Sequence, residues 1–129
     1  MNGLIGKKIG MTRIFDEEGR HIPVTVIEAG PCVVTQLKAA KTDGYSAVQV
    51  GFGPRKPKNT TMPMQGHFRK AGVEAQHIVS EFAPDEGDEL KPGDTIDVSI
   101  FDGVELVDVT GFTRGRGFSG RIRRWNQHR

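Results

Sequence analysis

The sequence has one cysteine, one tryptophan and one tyrosine. A single cysteine excludes an internal disulfide and fits a reducing compartment. It stands at Cys32 inside an apolar run, where a core side chain is expected rather than a nucleophile. No apolar run reaches the length of a membrane-crossing helix, and the opening MNGLIGKK lacks the apolar stretch of a secretory signal. Metal ligands are few: His21, His67, His77 and His128 match no metal-site spacing. The acids from Asp85 to Asp94 lack the alternating pattern of a calcium loop. The expectation is no metal, no cofactor, no membrane and a cytoplasmic address.

A catalytic constellation is also missing. Ser119 lies in GFSGR, which lacks the second glycine of a nucleophile elbow. Gly115, Gly117 and Gly120 match GxGxxG, yet no βαβ unit surrounds them. No enzyme is expected.

What the sequence does have is glycine, proline and segregated charge. Its 129 residues include 17 glycines and 7 prolines, with 36% hydrophobic content. That composition favours one domain built from many short elements. The net charge of +2 hides a partition. Residues 1–73 carry a balance of +6, residues 74–108 one of −10, and residues 109–129 one of +6. Two basic regions flanking an acidic one point to a polyanion partner. The acidic stretch then faces away from that partner or toward a basic protein.

The strongest basic stretch is 111–129, GFTRGRGFSGRIRRWNQHR, with six arginines and no acid. Arginine forks fit phosphate oxygens. Phe118 and Trp125 offer faces for a base or a guanidinium. Phe118, Ile122 and Trp125 stand four and three residues apart, so a helix aligns them on one face. Solvation of a basic chain end is the competing reading.

Along the chain, strands are expected over 3–10 and onward to Phe15, over 22–28, 32–38, 45–52, 76–82, 95–101 and 105–110. Turns are expected at 16–19, at Asp43-Gly44 and, most strongly, at the hairpin dipeptide Asp102-Gly103. Val48, Val50 and Phe52 are expected on one side of their strand, and Ile96, Val98 and Ile100 inward on theirs. Val107 and Val109 are likewise expected inward. The proline-rich basic segment 53–63 reads as a loop, and 65–71 as a short helix ending at Gly72. In that helix Arg69 and Lys70 serve either the helix dipole or a phosphate contact. About seven strands and two short helices describe a mainly β antiparallel barrel or sandwich.

The residues then resemble a family. GLIGKKIGMTRIFDEEGRHIPVTVIEAGPCVVTQLK, DGYSAVQVGFG, GHFRKAGV and VDVTGFTRGRGFSGRIRRWN are similar, in order, to the bacterial L-three family of large-subunit ribosomal proteins. The resemblance implies a small antiparallel β-barrel of the translation-protein type over 1–112. A basic loop and short helix are inserted at 53–73, and the root of an RNA-binding extension follows at 113–129. It implies a structural constituent of the large ribosomal subunit that binds ribosomal RNA and supports assembly, with neighbouring ribosomal proteins as partners. The RNA-facing positions it implies are Lys7, Lys8, Arg13, Arg55, Lys56, Lys58, Arg69 and Lys70. In the tail they are Arg114, Arg116, Arg121, Arg123, Arg124, Trp125, His128 and Arg129. Family members continue beyond a stretch like Arg124-Trp125-Asn126, so the barrel is expected to be incomplete, with open edges through which isolated copies pair. A β-barrel protein-interaction module without an RNA role is the rival reading. A small barrel using its glycine-rich turn for a nucleotide is a third.

Overall fold

A computed structural model describes residues 1, 3–85, 87 and 89–128. The chain is mainly β: the described residues form six strands in two antiparallel sheets and three short α-helices. The strands are β1 (Gly6–Phe15), β2 (His21–Ala29), β3 (Cys32–Lys38), β4 (Ala47–Pro54), β5 (Gln76–Phe82) and β6 (Thr95–Ile96). The helices are α1 (Ala40–Asp43), α2 (Met62–Ala71) and α3 (Arg121–Trp125). β1 and β2 form a two-stranded ribbon, and the second sheet has the order β5-β4-β3-β6. Among the described residues the sheets do not close into a barrel. β5 and β6 are the open edges of the larger sheet.

The larger sheet separates an apolar layer from a polar one. On its inner face Cys32, Val34, Val48, Val50 and Phe52 are buried together with Met1 and Ile96. Alternation along β4 dictates this, because Val48, Val50 and Phe52 share one face of the pleat. Cys32 is fully buried, its Sγ–H donates to Ile5 O at 3.5 Å, and desolvation pushes its thiol up. It is a core residue.

The outer face carries α2. Phe68 is buried beneath the helix at 2% exposure. Pro63 occupies the first turn of α2, where its missing N–H costs nothing. The helix therefore starts at Met62, earlier than its apolar pattern implies. Gly72 ends it in the left-handed region at φ 71°, and Val73 N–H donates to Phe68 O at 3.1 Å, as in a Schellman cap. Gly51 leaves room under this layer: a Cβ there would lie 2.5 Å from Gln76 Cγ and 3.3 Å from Thr35 Cγ2.

A chain of polar side chains crosses the same face. Lys38 Nζ reaches Glu81 Oε1 at 2.8 Å and donates to Tyr45 Oη at 2.6 Å, while Tyr45 Oη donates to Glu81 Oε2 at 2.7 Å. Gln49 Nε2 donates to Glu81 Oε1 at 3.2 Å, and Gln49 Oε1 accepts from Thr35 Oγ1 at 2.9 Å and from His67 Nε2 at 2.7 Å. The Lys38 ammonium above all, then the Tyr45 hydroxyl and the Gln49 amide, hold Glu81 down from 4.5 to about 2. A depressed carboxylate contributes fully above its unfolded value and loses that contribution as protons bind. The sheet should therefore lose stability as pH falls from about 4.5 toward about 2. Glu81→Gln should be less stable at neutral pH and flatter across that window, read as urea midpoints. A variant whose midpoints track wild type throughout would refute the coupling.

Three sequence expectations are corrected. The segment 95–101 is a strand only at Thr95–Ile96, and Val98–Phe101 forms a 3-10 turn. The cause is Asp97, whose carboxylate accepts from Ser99 N–H at 2.9 Å and Ser99 Oγ–H at 2.5 Å, a local bond that competes with the ladder. Val98 is 57% exposed rather than inward. Asp102-Gly103 is a turn but not a hairpin: it closes that 3-10 segment through Val104 N–H to Phe101 O at 3.0 Å. Residues 104–110 have no strand partner, and Val107 and Val109 are exposed. The turn expected at Asp43-Gly44 is present and joins the antiparallel β3 and β4, in the form of the one-turn helix α1 with Gly44 at φ 83° as its left-handed cap. Asp43 accepts from Thr42 Oγ1 at 2.7 Å and Ala39 N–H at 3.2 Å, which winds the chain into a turn before β4.

Candidate nucleic-acid interface

The cations named from the sequence lie in three regions, and every one described is exposed. Lys7, Lys8 and Arg13 are on β1. Arg55 follows β4, Lys56 and Lys58 lie in the 3-10 turn region beside Pro57–Asn59, and Arg69 and Lys70 close α2. Arg114 and Arg116 are in irregular chain, while Arg121, Arg123, Arg124 and Trp125 make up most of α3. His128 follows α3, and Arg129 lies outside the described residues.

The second region is one structural unit. Gln65 Nε2 donates to Pro57 O and to Thr60 O, both at 2.9 Å, which ties the loop to α2. Phe68 in turn ties α2 to the sheet. Five cations of the set, Arg55, Lys56, Lys58, Arg69 and Lys70, are therefore carried by one docked element. Beneath it is a cavity of about 230 Å³ lined by Arg55, Thr61, Met64, Phe68 and His77 among others.

Ion pairing separates the cations. Arg20 Nε and Nη2 bind Asp16 at 2.8 Å and Glu18 at 3.0 Å, and Lys38 is bound to Glu81. The described members of the sequence-named set make no ion pair among the described residues. These cations are open to a polyanion, and only Lys7 has an acid, Glu28, directly across the ladder among the strand pairs.

In the tail, α3 spans only Arg121–Trp125, ending at Asn126 in the left-handed region at φ 50°. The Arg124 guanidinium lies 5.6 Å over the Trp125 ring. Phe118 stands outside the helix and is fully exposed, so the three-residue apolar face expected there is reduced to Ile122 and Trp125. Trp125 is 66% exposed and is not folded back on the sheets.

One feature was invisible in the sequence. β1 has a register shift between Lys8 and Gly10 that leaves Ile9 as a bulge. Lys8 and Arg13 are an odd number of residues apart and would face opposite ways in a regular strand. The bulge brings them to the same face, with Met11, Phe15 and, from β2, His21. Lys7 falls on the other face, opposite Glu28.

Among the described residues no group of three His, Cys, Asp or Glu side chains could hold a metal ion. No helix among them is long and apolar enough to cross a membrane. Fold and surface together define a small mainly β domain whose exposed cations lie on a ribbon, a docked loop–helix unit and a tail.

No family model matches the chain. Over 122 residues, 95% of its length, it is 48% identical to large ribosomal subunit protein uL3 of Corynebacterium aurimucosum, and it covers 56% of that relative. The chain is homologous to the large-subunit ribosomal protein L3 family and corresponds to its amino-terminal portion. It spans about half the length of the relative it matches.

Proposed function

We propose that this chain is a structural, non-catalytic constituent of the large ribosomal subunit. In this reading it binds ribosomal RNA, supports subunit assembly and resides in the cytoplasm on the ribosome. The single observation that carries the reading is the 48% identity to a large-subunit protein along nearly the whole chain. The exposed cations support it: ribbon, loop–helix unit and tail each present donors suited to phosphate. Residues 113–129 act in it as the root of an arm that lies against RNA, and the acidic stretch 74–108 meets neighbouring proteins. Backbone and shape recognition fit the arginine-rich surface better than reading of base edges.

Titration of the chain with large-subunit ribosomal RNA at increasing salt tests this. Several neutralised phosphates give log affinity falling linearly with log salt, with a slope of about −0.7 to −0.9 per phosphate. A slope near zero would favour the protein-interaction reading.

A further inference from the structure

We infer that one face of the β1–β2 ribbon is a platform for single-stranded RNA, with Phe15 under an unpaired base, His21 at the base's edge, Arg13 on a flanking phosphate and Lys8 on a phosphate further along the strand. The inference rests on the RNA reading above and adds to it a contact that charge alone does not predict.

The register fixes which side chains share this face. Phe15 pairs with His21, Arg13 with Pro23, Met11 with Thr25 and, across the bulge, Lys8 with Ile27. No acid lies on the face; the ribbon strands' one acid, Glu28, is on the other. Of the adjoining turn's acids, Asp16 and Glu18 are bound by Arg20, while Glu17 is exposed and makes no ion pair among the described residues.

The two rings are adjacent, with centroids 5.9 Å apart and planes at 54°. Phe15 is 67% exposed. Arg13 Nη1 lies 3.4 Å from His21 Nε2, which places the guanidinium beside the ring pair. Phe15 is not isolated: Met11 and Ile27 on the same face are also exposed, and a contiguous exposed apolar patch marks an interaction site. The cations on this face, Lys8 and Arg13, make no ion pair among the described residues. An RNA strand has a base face for the ring and successive phosphates for Arg13 and Lys8, so RNA complements the whole face. An apolar protein surface would strand Lys8 and Arg13. The opposite face, with Ile14, Ile22, Val24 and Val26, suits such a surface better.

The test uses the full chain and large-subunit ribosomal RNA as probe. Phe15→Leu keeps an apolar side chain of similar bulk at an exposed strand position. Loss of one stacked base weakens binding about 5- to 100-fold. No charge is removed, so the salt slope should stay as in wild type, and Phe15→Trp should bind at least as tightly as wild type. Phe15→Leu binding as wild type, with a steep slope retained, would overturn the platform and leave the RNA reading standing. Phe15→Leu and Phe15→Trp losing affinity equally would also overturn it, because stacking would not be the cause. A wild-type chain that does not bind the RNA overturns both.

Discussion

Replacing Phe68 with alanine is expected to cost the fold about 3–5 kcal/mol, the range for emptying a buried aromatic site. Domains of this kind hold only about 5–15 kcal/mol in total. Phe68 is 2% exposed and is the one buried residue of α2. The start and middle of the helix are weak: Thr61 makes no side-chain cap, and Gly66 lies in the helix interior, where it is worth about 1 kcal/mol less than alanine. α2 is held on the sheet by this ring and by the His67–Gln49 hydrogen bond at 2.7 Å, and the ring is its only fully apolar anchor. Losing the ring should also release the loop, since Gln65 links the helix to Pro57 O and Thr60 O. Urea unfolding would measure the first effect and RNA titration the second. Met64→Ala, on a residue 38% exposed, is the control and should cost much less. A loss below about 1 kcal/mol for Phe68→Ala would mean that the ring's burial does not hold the helix in place.

How much of this was legible in the sequence follows from which interactions are local. β3 and β5 are readable because their apolar runs are bounded by turn residues, and Cys32–Lys38 and Gln76–Phe82 appear with the expected limits. β4 is readable through the alternation of Val48, Val50 and Phe52, all three buried. The segments misread are those where a side chain bonds its own backbone. Asp97 satisfies the donors of Ser99 and turns a strand pattern into a helical turn, while Asp43 makes the expected turn a one-turn helix. Alternation at Thr95–Phe101 is a weak signal against such a bond, because no partner strand lies alongside Val98 to reward extension. The exposed cations were legible as a set, since charge is a matter of composition. Their pairing was not: Arg20 and Lys38 look the same in the sequence as Lys8 and Arg13, and only the fold shows which have acids beside them. The face shared by Lys8 and Arg13 depends on a bulge, which changes parity and leaves no mark in residue type.

Removing the tail's charge should have the largest effect on RNA binding. Replacing Arg114, Arg116, Arg121, Arg123 and Arg124 with glutamine leaves side chains of similar reach and helix preference, so α3 should persist. Each arginine that sits on a phosphate contributes about 0.7–0.9 to the slope of log affinity against log salt, so five should flatten it by about 3.5–4.5. Between about 50 and about 200 mM salt the wild-type chain should then lose on the order of 200-fold more affinity than the variant. Lysine replacements separate charge from geometry. They should keep most of the slope but bind more weakly, because an ammonium cannot make the paired donors of a guanidinium. Trp125 is the only tryptophan and is 66% exposed, so its fluorescence reports the tail alone. Bound RNA should change that emission in the wild-type chain. A variant with an unchanged slope, or emission indifferent to RNA, would move the contact off the tail to the ribbon and the loop–helix unit. Those regions carry eight of the named cations and would keep a steep slope by themselves.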